Sequence, residues 1–343
     1  MKTLDSSDLI TTKTPGILVN SYHLINNPGL QVIKKAGGVR KFMNWDGAVI
    51  SDSGGFQIMS LVKKSGKSKS ITEMGFSFKL PGQKKVTLTP EESINIQLEL
   101  GTDLIVVLDD FTPPRANREQ AEETVRRTIL WAERSKVEFE KKCKAMRLGK
   151  DKRPYLIGVV QGGDYLDLRE DCTKELVKIG FDGVGYGGWP ISEDGKFNYE
   201  VAKVIADNAP DNYLLYGLGI GKPHEIVNCV KLGFTIFDCV LPTRDARHKR
   251  LYIYIANSID KIDIKKEQFY SYYIPDKQIN HSDLSPVSTA CDCLLCTKYT
   301  RAYLAHLFRI QDASALRLAT IHNLRFYSIL MEKMRTKFCR VRP

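Results

Sequence analysis

The chain has 343 residues, 43% hydrophobic and 27% charged, with a formal net charge of +11 and a pI near 9.1. It is long enough to bury a full core, holds no run of eighteen apolar residues that would span a membrane, and shows no apolar segment of a secretory signal in MKTLDSSDLITTKTPG. A cytoplasmic protein is expected. Its positive balance permits a nucleic-acid partner through Coulomb steering and counterion release without proving one.

Short apolar runs alternate with amphipathic stretches from residue 47 onward. The runs are 47–52 (GAVISD), 104–110 (LIVVLDD), 155–163 (YLIGVVQGG), 182–188 (DGVGYGG), 213–221 (YLLYGLGIG) and 236–243 (IFDCVLPT). Between them, 90–101, 115–148, 166–180, 199–208 and 223–233 read as helices. Apolar strands alternating with helices predict a parallel sheet covered on both faces. Six units, with room for more near the N-terminus and after Arg250, fit a (β/α)8 TIM barrel; a doubly wound open sheet is the competing fold, because periodicity does not show closure. A segment at about 64–90 breaks the rhythm. There Phe76, Phe78 and Leu80 alternate, Pro81-Gly82 signals a turn, and Val86 and Leu88 resume the pattern, predicting a β-hairpin insertion. Residues 252–289 are weakly patterned. The expected organisation is a barrel over 1–255 and a zinc-binding helical subdomain over 256–343.

Asp52, Asp109, Gln161, Gly187-Gly188 and Asp238 fall at the C-terminal ends of their runs. Any one of them could be a helix N-cap, but in a barrel those ends share one rim, where active sites are built. Basic residues cluster at Lys63, Lys64, Lys67 and Lys69, at Lys141, Lys142 and Lys144, at Arg247–Arg250, and in the tail at Lys333, Arg335, Lys337, Arg340 and Arg342.

Five of the eight cysteines are scattered, whereas Cys291, Cys293 and Cys296 share one short loop. In a reducing compartment that density calls for a metal rather than disulfides. Three thiolates and one imidazole would close a tetrahedral, structural zinc site. His306 and His322 both lie downstream on helical patterns, and spacing does not choose between them.

Asp52-Ser-Gly-Gly-Phe56-Gln57, Val160-Gln161-Gly162-Gly163, Phe237-Asp238-Cys-Val-Leu-Pro-Thr243-Arg244 and the Cys291/Cys293/Cys296 cluster followed by His322 resemble the queuine tRNA-ribosyltransferase (tRNA-guanine transglycosylase) family. Asn20-Ser-Tyr-His-Leu24, Leu88-Thr-Pro-Glu91 and 299–335 extend the likeness, which runs from about residue 17 to about 335. The resemblance implies a (β/α)8 barrel with a zinc subdomain that exchanges guanine at the tRNA anticodon wobble position for a 7-deazaguanine. It implies Asp238 as the nucleophile on ribose C1′, Asp52 as general acid/base, and Asp109, Gln161 and Gly188 as readers of the base, with Phe56 stacked on it. It further implies RNA contacts at Arg244 and Arg247, His322 as the fourth zinc ligand, and a homodimer. The match departs from the family pattern at Trp189-Pro190, at Phe111, at His248-Lys249, in a stretch 216–223 about two residues longer than usual, and in N-terminal strands that are shortened or missing. A DNA-acting paralogue and a non-catalytic RNA-binding partner subunit are the alternatives. A metal-dependent barrel hydrolase is disfavoured, because the thiolates lie outside the rim set and a Cys3His site leaves no open position.

Overall fold

The structure is a computed structural model and describes residues 2–55, 71–79, 85–192 and 194–338. Phe56, Gln57, the lysines at 63, 64, 67 and 69, Leu80, the Pro81-Gly82 turn, Cys339, Arg340 and Arg342 lie outside the described residues. The chain divides into two compact units, one of 16–218 and 232–238, the other of 1–15, 219–231 and 239–343.

The first unit is built on seven strands: β1 (Gly16–Asn20), β2 (Ala48–Asp52), β6 (Leu104–Val106), β7 (Tyr155–Val160), β8 (Gly183–Tyr186), β9 (Leu214–Gly217) and β10 (Ile236–Phe237). All six pairings are parallel, and the spatial order is the chain order. A doubly wound sheet would reverse that order at a switch point. The sheet also curls: Leu18 on β1 and Ile236 on β10, its two outermost strands, pack against one cluster of Leu104, Val106, Ile157, Val159 and Tyr216. An interior filled by inward side chains from successive strands marks a TIM-like barrel. Of the eight strands expected, seven are assigned among the described residues.

Local chemistry sets where the covering helices begin and end. Thr89 caps Pro90–Leu100 by accepting from the Glu92 amide at 3.1 Å, Pro90 opens its first turn, and Gly101 ends it with φ +71°. Asn117 and Gln120 form a capping box for the long helix Arg118–Ala145.

The expected hairpin is present as β4 (Gly75–Lys79) and β5 (Lys85–Leu88), antiparallel with Phe76 opposite Leu88 and Phe78 opposite Val86. A short β3 (Ile71–Thr72), not foreseen from the sequence, pairs with β4. The insertion is anchored where Phe76 meets the buried Trp131 ring edge-on at 5.0 Å and the Trp131 indole donates to the Glu73 carbonyl at 2.8 Å.

In the second unit, β11 (Leu251–Tyr254) and β12 (Tyr270–Tyr273) form an antiparallel pair, joined by the helices Leu241–Arg247, Leu294–Lys298, Arg301–Arg309 and Ala313–Lys337. The run 236–243 is strand only as far as Phe237, just before Asp238. Its remainder opens a helix with Pro242 in the first turn, where a missing amide costs nothing. The N-terminal helix Ser6–Thr11 is held in this unit by Arg317, which donates to the buried Asp8 carboxylate at 3.0 Å.

No helix among the described residues is long and apolar enough to cross a membrane.

Candidate active site and metal centre

Asp52 is the last residue of β2 and lies directly opposite Asn20, the last residue of β1. Asn20 has two tasks. Its carbonyl oxygen caps the helix Ser21–Asn26 through the His23 amide at 3.0 Å, and its amide nitrogen donates to Asp52 Oδ2 at 2.6 Å. The backbone amides of Ser21 and Gly54 donate to Asp52 Oδ1 at 3.2 and 3.0 Å. Burial nevertheless dominates those bonds and pushes the carboxyl up to about 6, with the nearby Asp238 charge adding to the rise.

Asp109 follows β6, and its carboxyl is raised further, to about 7. Burial is the main cause, opposed by a hydrogen bond from Gln161 and reinforced by the charges of Asp110 and Asp52. The adjacent Asp110 is ion-paired with Arg127.

Gln161, the residue after β7, is fully buried. Its amide orientation is set by its neighbours: the Thr112 backbone donates to Oε1 at 3.0 Å, leaving Nε2 to donate to Asp109 Oδ2 at 2.6 Å. Arg169, equally buried on the helix Leu166–Ile179, clamps the same region. Its guanidinium donates to the carbonyls of Val160 (2.6 Å), Gly163 (2.8 Å) and Gly187 (2.9 Å), tying the ends of β7 and β8 together. Gly187 and Gly188 must be glycine for steric reasons. A Cβ on Gly187 would stand 2.5 Å from Val159 Cγ1 and 2.7 Å from Gln161 Nε2. One on Gly188, whose φ is +79°, would stand 3.1 Å from both Gln161 Oε1 and Arg169 Nη2.

Asp238 immediately follows β10. The Tyr216 hydroxyl, from the neighbouring β9, donates to its Oδ1 at 2.8 Å. Asp52, Asp109, Gln161, Gly188 and Asp238 therefore gather at the C-terminal ends of five strands of one sheet. Asp52 lies within electrostatic reach of both Asp109 and Asp238. Phe56 falls outside the described residues. Asn20, Thr112, Arg169 and Tyr216 belong to the site but were not singled out from sequence. Asn20 lies in the Asn20–Leu24 motif and Tyr216 in the apolar run 213–221, but no local pattern shows that Thr112 meets Gln161, that Arg169 bridges the ends of β7 and β8, or that Tyr216 meets Asp238.

Arg244 and Arg247 lie on the helix Leu241–Arg247 of the second unit. Arg244 is exposed, and Arg247 is half-buried and donates to the Thr243 carbonyl at 2.7 Å.

The second unit also contains the one group among the described residues able to hold a metal ion through three or more ligands, Cys291, Cys293, Cys296 and His322, with ligand atoms all within 4.8 Å of one another. His322 Nδ1 lies 3.5 and 3.3 Å from the sulfurs of Cys293 and Cys296. Tetrahedral zinc with bonds of about 2.3 and 2.0 Å would separate such atoms by roughly 3.5 Å. The set fits the metal. His322 Nε2 is 2.8 Å from the Tyr252 carbonyl, an outer partner that fixes the ring and leaves Nδ1 as ligand. His306, the other candidate, is exposed and outside the group. The supporting shell is dense: the buried Arg325 joins Asp292, between two of the cysteines, to Glu332, and the Asn323 side chain bonds to Tyr252, Pro242 and Arg250.

Gly187→Ala is expected to destabilise the protein by about 1–3 kcal/mol, read as a lower denaturation midpoint; an unchanged midpoint would contradict the close packing on Gln161. Cys293→Ala is expected to lower zinc content and melting temperature together, measured by elemental analysis and calorimetry; full zinc retention would remove that cysteine from the ligand set.

A family model described as queuine tRNA-ribosyltransferase matches residues 1–340. A queuine tRNA-ribosyltransferase of Idiomarina loihiensis is 39% identical over 319 residues, covering 93% of this chain and 78% of that protein. Proteins of the same name from Shewanella putrefaciens (37% over 337 residues, 98% and 83%) and Hydrogenovibrio crunogenus (37% over 320 residues, 93% and 79%) are similarly related. With the full-length family match, the ordered sheet and the Cys3His group agreeing, the chain belongs to the queuine tRNA-ribosyltransferase family.

Proposed function

We propose that the protein is a tRNA-guanine transglycosylase, a pentosyltransferase of queuosine biosynthesis that replaces guanine at the anticodon wobble position by a 7-deazaguanine. The observation that carries this reading is the meeting of Asp52, Asp109 and Asp238 at one rim, with two of the three carboxyls raised by burial.

In this reading the Asp238 carboxylate attacks ribose C1′. A C1′–O bond forms, the C1′–N9 bond breaks, and its electron pair leaves with the guanine, which takes a proton from Asp52. The incoming base returns a proton to the Asp52 carboxylate and attacks C1′, freeing Asp238. The glycosyl ester traps the oxocarbenium-like centre so that the polymer is held while one base leaves and another enters. A carboxyl raised to about 6 suits Asp52 to both halves, since near-neutral conditions populate its acid and its base. Asp109 and Gln161 supply the hydrogen-bonding edge that reads the base, with Gly188 admitting it closely and Phe56 stacking on it. An unstacked wobble nucleotide is the form that could reach such a recess.

Arg244 and Arg247 contact RNA phosphates in the same reading. A structural zinc ion, held by Cys291, Cys293, Cys296 and His322, staples the cysteine loop to the helix Ala313–Lys337. It takes no part in the chemistry, because four protein ligands fill its sphere. The enzyme is proposed to act in the cytoplasm as a homodimer.

The test is incorporation of radiolabelled guanine into unmodified tRNA and, in parallel, into duplex DNA. Exchange confined to tRNA is expected, and Asp238→Ala is expected to abolish it while RNA affinity stays close to that of the unaltered protein, because phosphate contacts dominate binding. Exchange into DNA instead would favour the paralogue reading, and appreciable turnover by Asp238→Ala would refute the mechanism.

A further inference from the structure

Tyr216 occupies an unusual place. Its ring is fully buried in the barrel interior among Leu104, Val106, Ile157 and Val159, side chains with no polar atom. A phenylalanine would fill the same layer without leaving a hydroxyl to be satisfied. The hydroxyl is present and donates to Asp238 Oδ1 at 2.8 Å. Because the ring is locked by core packing and β9 and β10 are in register at Tyr216 and Ile236, the donor is held without loop entropy.

We propose that Tyr216 is a positioning residue for base exchange: its hydroxyl orients the Asp238 carboxylate at the barrel rim and favours its ionised, nucleophilic form. This rests on the reading of Asp238 as nucleophile. A hydrogen bond donated to a carboxylate stabilises the charged state over the protonated one. It is also stronger to a carboxylate than to the carbonyl of a neutral ester. Tyr216 therefore opposes Asp52, whose like charge disfavours ionisation of Asp238; Asp109 acts on the pair through Asp52. When the incoming base displaces Asp238 from C1′, the same bond receives the departing carboxylate. The tyrosine keeps its proton throughout and only its hydrogen bond changes strength.

The experiment is the pH dependence of kcat/KM for tRNA in guanine exchange, measured for the full-length protein and for Tyr216→Phe and Tyr216→Met. This parameter reports the first half-reaction, in which Asp238 must be ionised and Asp52 protonated. Removing the donor should move the acid limb up by about half to one pH unit in both variants, leaving the alkaline limb in place. Both variants should lower kcat more than they raise KM. If the acid limb stays put in both while activity loss follows melting temperature, Tyr216 only packs the core and the proposal falls. Asp238→Asn run alongside separates the two ideas: a denaturation-resistant RNA adduct that survives in it would sink the nucleophile assignment and the proposal with it. An adduct lost there, with the limb unmoved in the Tyr216 variants, would sink the proposal alone.

Discussion

Carboxyl groups crowded at one end of a parallel sheet, where water is scarce, are the constraint to which the rest of the first unit answers. Isolated, each would ionise below pH 4. Together and half-buried, Asp52 and Asp109 rise to about 6 and about 7, because each charge costs desolvation and repels the next. The neighbouring residues respond to that cost. Asn20 and two backbone amides lower the expense of charge at Asp52, Gln161 does so at Asp109, and Asp110 is neutralised by its own arginine. What remains is a site whose protonation states lie near neutrality, where proton transfer to and from a base is easiest.

The barrel makes this affordable by placing strand ends side by side. Asn20 reaches Asp52 because β1 and β2 pair in register to their last residues, and Tyr216 reaches Asp238 because β9 adjoins β10. Beneath the rim, Arg169 spends its guanidinium on three backbone carbonyls, closing the β7 and β8 loops from behind. The glycines at 187 and 188 leave the room that Gln161 and Arg169 occupy. In the second unit a different economy holds. Three cysteines and a histidine do locally what a larger apolar core would do, and Tyr252 is bonded at both its amide and its carbonyl to the helix that bears the histidine.

Much of this was legible in the sequence because it is written in local patterns. Continuous apolar runs ending in Asp52, Asp109, Gln161 and Asp238 gave strand and rim together, and Cys291, Cys293 and Cys296 announced a metal by density alone. The parts that stayed hidden depend on pairings that no local pattern shows. β11 and β12 were missed because each is only four residues long, and the surrounding 252–289 stretch carries no apolar rhythm. Arg169 reads as one more charge on an amphipathic helix, yet it is fully buried. Tyr216 reads as an ordinary apolar-run residue, since nothing local shows that its hydroxyl meets Asp238. The choice of His322 over His306 needed the family likeness at first, and burial separates them afterwards.

The central claim is that the carboxyls of this rim are electrostatically coupled and partly protonated near neutral pH. It is tested most directly by a carbon-13 NMR titration of aspartate-labelled protein, with the two signals assigned from Asp52→Asn and Asp109→Asn. The account predicts midpoints near 6 for Asp52 and near 7 for Asp109. Midpoints for both at about 4, the value of an unhindered aspartate, would contradict it.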